Sequence, residues 1–496
     1  MARMALKPDE RYKSFVKFRQ QTNPCIGELL KFLDAPWSAS SYRSCRSYTA
    51  SYNVNNTERP PMEFEEIDII DISSVLTAPQ PGHIRLIIIE DIHPSIVEIL
   101  GAELDIDPIF FADYIVTNYG GIETTPAPPS VALAPSQVVL QNNRFHLHSQ
   151  KVIDLGCAEM FRGCAKKFAT SANVPRSVRR LVPLSGRQLG ILRGCSSFFV
   201  KSFDQSWIEL ILVDSTTPDI LDPSATTFHS ERTRFRCTPL HNGFEDFRNP
   251  VSFSQLDSSK PITGVLGLSG SHLEVLVNCF SSGDMTLNSA GPSVLNLAYY
   301  SMRINISEWM LYIQVMARYL SYYEYSLRNI NSAIDGERGD MIDLQKWRHR
   351  SLQSQLKLRS ARHFVHYWLA QGHNSNSGDI WPLIVKDFDL LISQIEQYGQ
   401  SLERIIPIVT SMVQLSDAQR SISESVNVRR LTYVALVFIP LSWVAAIFSM
   451  ADGYAPGQSK FWVYFVIAVP LCVATIYGSY LTSMPNIRWF NKIVHN

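Results

Sequence analysis

The sequence predicts an α/β domain joined through long stalk helices to a two-helix transmembrane hairpin at the C-terminus. Three observations carry this. Buried-strand and short-helix patterns occupy residues 81–290, helical periodicity takes over from about Ser293, and two long uncharged apolar runs follow.

Residues 1–80 are poorly patterned. Their stretch "SASSYRSCRSYTASYNVNN" reads as loop or disorder, and "MEFEEIDIIDI" as a solvated acidic edge. The opening "MARMALKPDERYKSFVKF" has no apolar core of signal-peptide length. The α/β domain is placed at 81–290. Its first strand is "HIRLIIIED", His83 to Asp91, a continuous apolar run of the buried kind. Helical patterns follow near Ser95–Leu104 and Pro108–Asn118. A Pro- and Ala-rich linker covers Thr124–Ser136, and further strands are expected in "SQVVLQ", "RFHLHSQ" and "FFVKSFDQSWIELILVDS".

Residues 291–375 read as a long helical hairpin broken at "DGERG", and 376–430 as a stalk helix running on without a loop. In the stalk, Phe388, Leu391, Ile395, Tyr398, Leu402, Ile405, Val409 and Met412 step by 3 and 4 in alternation, a seam suited to coiled-coil packing. Pro407 interrupts it. After Val413 the helix turns polar, so that stretch either lines a hydrated vestibule or is simply a solvated helix.

Leu431–Met450 and Phe461–Leu481 contain no Asp, Glu, Lys, Arg or His. Each is about as long as the ~20 residues a helix needs to cross a bilayer core. Arg429 and Arg430 precede the first span, and Arg488 and Lys492 follow the second. The 451–460 loop holds only Asp452 and Lys460. By the positive-inside rule both termini, including the 482–496 tail, face the cytosol. Tyr454, Trp462 and Tyr464 then sit near one interface, and Tyr477, Tyr480 and Trp489 near the other. Pro440 and Pro470 fall mid-span, where a neighbouring helix or water must satisfy the freed carbonyls.

Charge is balanced, 45 basic against 45 acidic residues, so no global field argues for nucleic acid. The 8 cysteines are scattered without a CxxC pair, which predicts reduced thiols rather than a zinc site or disulfide framework. No nucleophile elbow, kinase set, HExxH or phosphate loop is found, and "GVLGLSGSH" lacks the spacing of one. The sequence therefore predicts no enzyme. His363 and His366 stand at i and i+3, a metal-capable spacing without a third ligand at a suitable offset.

Two segments and the overall layout resemble the CorA-type magnesium transporter family, most closely its fungal CorA-like members. "RRLTYVALVFIPLSWVAAIF", Arg429–Phe448, is similar to the Leu-Thr … Phe-x-Pro-Leu pattern that opens the family's pore helix. "LDIDPIFFADYI", Leu104–Ile115, is similar to its Ile-x-Pro … Asp segment, and "IRLIIIEDI" has the look of fungal members. The resemblance implies a CorA-like homopentamer whose first spans line a pore for Mg²⁺ or other divalent cations, with the second spans facing lipid. The family's Gly-Met-Asn signature is replaced here by Ser449, Met450 and Ala451.

Ala451 lacks the amide acceptor through which the family is thought to hold a hydrated ion. Asp452 either forms a compensating carboxylate ring at the pore mouth or caps the turn before Gly453. Carried over by position, Ser442 and Ala446 face the pore, Leu431 and Val428 form the hydrophobic gate, and Ser425 stands where Asn is common. Asp113 matches an acidic position of the family's regulatory metal site between neighbouring subunits, with Asp387 or Asp389 on the other subunit's stalk as its partner. The resemblance thus predicts an oligomeric divalent-cation channel. The alternative is a non-conducting relative that senses or scaffolds, and a membrane-anchored enzyme is a third, less supported class.

Overall fold

The computed structural model describes residues 10–35, 45–53, 62–116, 143–216, 219–221, 234–240, 271–282, 292–328, 337–370, 380–450, 457 and 459–483. Two compact units emerge, Met1–Tyr325 with Gln345–Glu403, and Ser326–Leu344 with Arg404–Asn496.

The first unit opens with helices α1 (Glu10–Thr22) and α2 (Gly27–Asp34), then strands β1 (Arg46–Asn53) and β2 (Glu65–Ile67) and the short α3 (Ile72–Val75). Tyr12, Val16, Leu29 and Phe32 enter the same core as Ile96, Leu100, Phe110 and Phe111. The expectation that residues 1–80 lie outside the α/β domain is therefore corrected, and so is the loop reading at Arg46–Asn53. β1 has no apolar run to announce it, but its Tyr and Thr suit a half-buried strand. It pairs antiparallel along its whole length with β3 (His83–Glu90), from Arg46↔Glu90 to Asn53↔His83.

After β3 come α4 (Pro94–Glu103) and α5 (Pro108–Ile115). Both begin with a side-chain cap followed by proline. His93 accepts from Ser95 N at the first, and Asp107 accepts from Ile109 N at the second. Such caps satisfy amides that have no intrahelical partner, and proline at N1 loses nothing by lacking an N–H. Gly101 lets α1 lie directly on α4, since a Cβ there would stand 2.1 Å from Tyr12 Cζ. The Tyr12 hydroxyl donates to Ile106 O at 2.7 Å. Gly101→Ala is expected to cost about 1–3 kcal/mol by overpacking. The readouts are a lower denaturation midpoint and faster proteolysis within residues 10–34.

The sheet continues with β4 (Arg144–Cys157), β5 (Lys167–Thr170), β6 (Ser177–Arg180), β7 (Arg187–Phe203), β8 (Ser206–Val213), β9 (Ile220–Leu221), β10 (Arg234–Phe235) and β11 (Thr238–Pro239). The strand order is β10-β9-β5-β6-β7-β8-β3-β1-β2, with β4 paired to β7 and β11. β3 and β8 run parallel, while the long β4–β7 and β7–β8 pairs are antiparallel. The two strands expected in "FFVKSFDQSWIELILVDS" are the β7–β8 hairpin. "SQVVLQ" and the Pro-rich linker lie outside the described residues. Helix α6 (His272–Ser281) follows, opened by a capping box between Ser271 and Glu274.

Three long helices come next, α7 (Val294–Arg328), α8 (Glu337–Ala370) and α9 (Ile380–Ser449), then α10 (Trp462–Ser483). Within the first unit, Phe145 of β4 stacks on Phe364 of α8 at 3.7 Å, and Gln150 Nε2 donates to Ser354 Oγ at 3.2 Å. Asn305 and Trp309 of α7 both donate to His148 O. α8 and the start of α9 lie antiparallel, tied by Arg348–Glu403, Arg359–Glu396 and Arg362–Asp389. They approach closely at Gly399, where a Cβ would stand 2.9 Å from Ser351 Oγ. The expected seam is buried, with Phe388, Leu391, Ile395, Leu402 and Val409 at 2% exposure or less. α9 remains one helix of 70 residues through both Pro407 and Pro440, as the absence of a predicted loop implied. This order of sheet domain, long helices and two apolar C-terminal helices is the one expected from the sequence.

Candidate functional site

Among the described residues two helices are long and apolar enough to cross a membrane, one within α9 and one at Trp462–Ser479 of α10. Their contact is narrow. Pro440, Val444, Ala468 and Cys472 are buried amid otherwise exposed apolar side chains. Phe448 meets Tyr464 edge-on at 6.4 Å, the Tyr464 hydroxyl donates to Leu441 O at 3.4 Å, and Cys472 Sγ donates to Val437 O at 3.6 Å. On α10 the contact residues Tyr464, Ala468 and Cys472 are spaced by four, one stripe of a helix. Small Ala468 lets the backbones approach, as in other membrane helix pairs.

The α9 positions assigned to the pore fall on the other side. With about 100° per residue, Leu431, Ser442, Ala446 and Ser449 cluster within roughly 60° of one another, and Val428 falls in the same arc. Val437, Leu441, Val444 and Phe448, on the α10 side, are centred roughly 130° away from Ser442. All five pore positions are exposed in the single chain, Val428 and Leu431 at 63% and 70%. Toward Ser449 the stripe is small and hydroxylated; toward Val428 it is apolar. Ser425 lies roughly 100° around the helix from Ser442, off this arc. Asp417 and Glu424 of the polar stretch fall close to the stripe's line, and Glu424 accepts from Arg420 Nε at 3.2 Å. Met450 ends the helix at 88% exposure. Ala451 and Asp452 lie outside the described residues.

The three acids expected to sense metal differ in setting within one chain. Asp387 and Asp389 are exposed on α9, and Asp389 pairs with Arg362 Nε at 2.5 Å within the same chain. Asp113 points the other way, into the fold. Its carboxylate stands 3.9 Å from His146 Nε2, with both side chains 15% exposed. Burial is the main cause that pushes Asp113 up to about 7, with Asp107 adding to it and Arg144 opposing. Burial, aided by Arg144, lowers His146 to about 3. His146 Nδ1 lies 2.7 Å from Ser197 Oγ. Ser197, His146 and Asp113 thus follow one another like a nucleophilic triad, but Ser197 is fully buried and the His–Asp gap exceeds a hydrogen bond. What the group can do is hold a proton.

The signs of the two shifts oppose each other. Asp113 binds its proton more tightly folded than unfolded, so its stabilisation is full below its ordinary 3.8 and is lost as pH rises through about 7. His146 is held neutral, so its contribution is lost as pH falls from its ordinary 6.5 toward about 3. Asp113→Asn is expected to remove the first loss only. Urea denaturation should find the stability of the variant relative to wild type rising from pH 5 to 7, with the variant the more stable at pH 8. Parallel profiles would contradict this assignment.

Sequence reasoning missed a second buried polar centre. Arg176, 2% exposed, donates to Tyr114 O and Ile115 O at the end of α5 and to Asp214 Oδ1 at 2.6 Å. Asp214 Oδ2 accepts from Cys195 N at 2.7 Å. The centre ties the Asp113 helix to β7 and β8. Partners 38 to 62 residues apart in sequence leave no local motif to find it by.

Among the described residues no group of three or more His, Cys, Asp or Glu could hold a metal ion. His363 and His366 are exposed on α8, and all 8 cysteines are free thiols. No family model matches the chain, and no curated protein matches it. Among solved structures, the CorA magnesium transporter from Methanocaldococcus jannaschii is similar. Identity is 11%, the match covers 87% of this chain and 96% of that one, and the TM-score is 0.33.

Proposed function

We propose that the protein is one subunit of an oligomeric, CorA-like divalent-cation channel, with Mg²⁺ or a related ion as cargo. The observation that carries this is the two-sidedness of α9: one face is covered by α10, while the opposite face is a stripe of Ser442, Ala446 and Ser449 continuing into Leu431 and Val428. Several copies turning that stripe inward, as a homopentamer would, enclose a path that is weakly polar at one end and apolar at the other. An apolar constriction can close a pore by dewetting. Lipid would cover the exposed apolar surface of α10, with both termini in the cytosol.

Mg²⁺ gives up its water reluctantly and favours oxygen ligands. The Ser-Met-Ala mouth supplies few of them, so in this reading Asp452 is the main cation-attracting group. Asp452→Asn is expected to lower Mg²⁺ flux severalfold in proteoliposomes, and unchanged flux would remove Asp452 from the pathway. The missing Asn also favours one rival, a non-conducting relative that senses or scaffolds. Mg²⁺ and Ni²⁺ flux into vesicles, together with oligomer mass in detergent, separates them. A monomer would defeat the channel reading, and an oligomer without flux would support the rival.

A further inference from the structure

α10 touches α9 at the one turn of the span where the helix is weakest. Pro440 has no N–H to offer the Leu436 carbonyl, and its ring crowds that carbonyl, so the ladder loosens there. The Val437 and Leu441 carbonyls keep the amides of Leu441 and Ala445 as helix partners, so a side chain that reaches them adds a second hydrogen bond beside the weakened turn. Pro440 is not turned to the outside; it is buried beside Val444. On either side of it, two α10 side chains reach backbone oxygens of α9. Cys472 Sγ donates to Val437 O at 3.6 Å, three residues before the proline, and Tyr464 Oη donates to Leu441 O at 3.4 Å, one residue after it. Ala468, fully buried, fills the space between the two donors.

We propose that α10 is a clamp on the proline turn of α9, with Cys472 and Tyr464 as positioning residues that set the direction of the Ser442–Ser449 stripe. The clamp itself follows from the hairpin geometry alone; its effect on the ion path rests on the channel reading above. Ser442, Ala446 and Ser449 all lie beyond Pro440, so a change of bend at that turn swings these three together relative to Val428 and Leu431. Pro470 of α10 is exposed, away from the contact, so the second helix presents an unbroken face to the first.

The test reads the thiol directly. The infrared difference spectrum of the full-length protein in lipid, wild type minus Cys472→Ala, isolates the Cys472 S–H stretch. A hydrogen-bonded thiol is expected, its band below that of a free thiol. Ala468→Phe drives a ring into the buried contact and parts the two helices, and the band is then expected to move up toward the free position. A free-thiol band in wild type, or a band unmoved by Ala468→Phe, overturns the clamp. Flux gives the second arm: Cys472→Ala and Tyr464→Phe should each change Mg²⁺ flux severalfold at unchanged oligomer mass. If wild type carries no flux, the channel reading falls and the infrared result still decides the clamp. If flux is present and both variants match wild type, the clamp does not set the stripe.

Discussion

Ser442→Phe abolishes Mg²⁺ flux, cutting it at least tenfold, while the protein still folds and assembles. This is the expected result if the stripe opposite α10 is the ion path. Ser442 is exposed, and its hydroxyl donates only to its own helix, at Ile439 O, 2.9 Å away. A phenyl ring there loses no tertiary contact within the chain. In an oligomer, however, several rings would converge on one axis and replace weakly polar lining with apolar bulk, a dewetting constriction. Two controls give the test its force. Val473→Phe enlarges an exposed apolar position of α10 and should leave flux unchanged. Ala468→Phe drives a ring into the fully buried hairpin contact and should lower hairpin stability as well as flux. If Ser442→Phe and Val473→Phe conduct alike, the stripe is not the path.

The largest stability effect is expected at Arg176. Arg176→Ala leaves the Asp214 carboxylate without its guanidinium and strips two carbonyls at the end of α5 of their donor. Removing one partner of a buried ion pair costs about 3–5 kcal/mol, because the other charge stays buried uncompensated. Such a loss is a large fraction of the 5–15 kcal/mol by which folded domains exceed their unfolded chains. Arg176→Lys is expected to recover only part of it, since one ammonium cannot span Asp214 and both carbonyls with the guanidinium's planar fork. Denaturant titration of the three proteins checks the order wild type, then Lys, then Ala. A change under 1 kcal/mol for Ala would show that the centre is not buried in solution.

Where periodicity was long, the chain disclosed its own elements. Helix α9 and its buried seam, α10, β3 and the β7–β8 hairpin all follow from runs of apolar residues whose spacing has a single structural answer. β1 escaped because its partner, β3, lies thirty residues on, and a Ser- and Tyr-rich segment becomes a strand only when that partner is present. α1 and α2 escaped for a similar reason, since both pack into a core built by helices far along the chain, α1 on α4 at Gly101. At the site, the resemblance supplied Ser442, Ala446, Ser449, Leu431, Val428 and Ser425, and helical geometry groups the first five on one arc. Motif matching picked out Asp113 but not its orientation. A carboxylate on a short helix has a surface side and a core side, and only the position of β4 decided which it took.

The unbroken course of α9 has a mechanical meaning. At 1.5 Å per residue the helix is roughly 105 Å long, and the part from Arg404 to Ser449 roughly 70 Å. Within the second unit such a rod acts as a lever arm: Ser449 lies roughly 14 Å beyond Pro440, so a change of bend of about 20° at that turn carries it sideways by roughly 5 Å. A small change in one turn thereby reaches the end of the helix as a displacement of side-chain size.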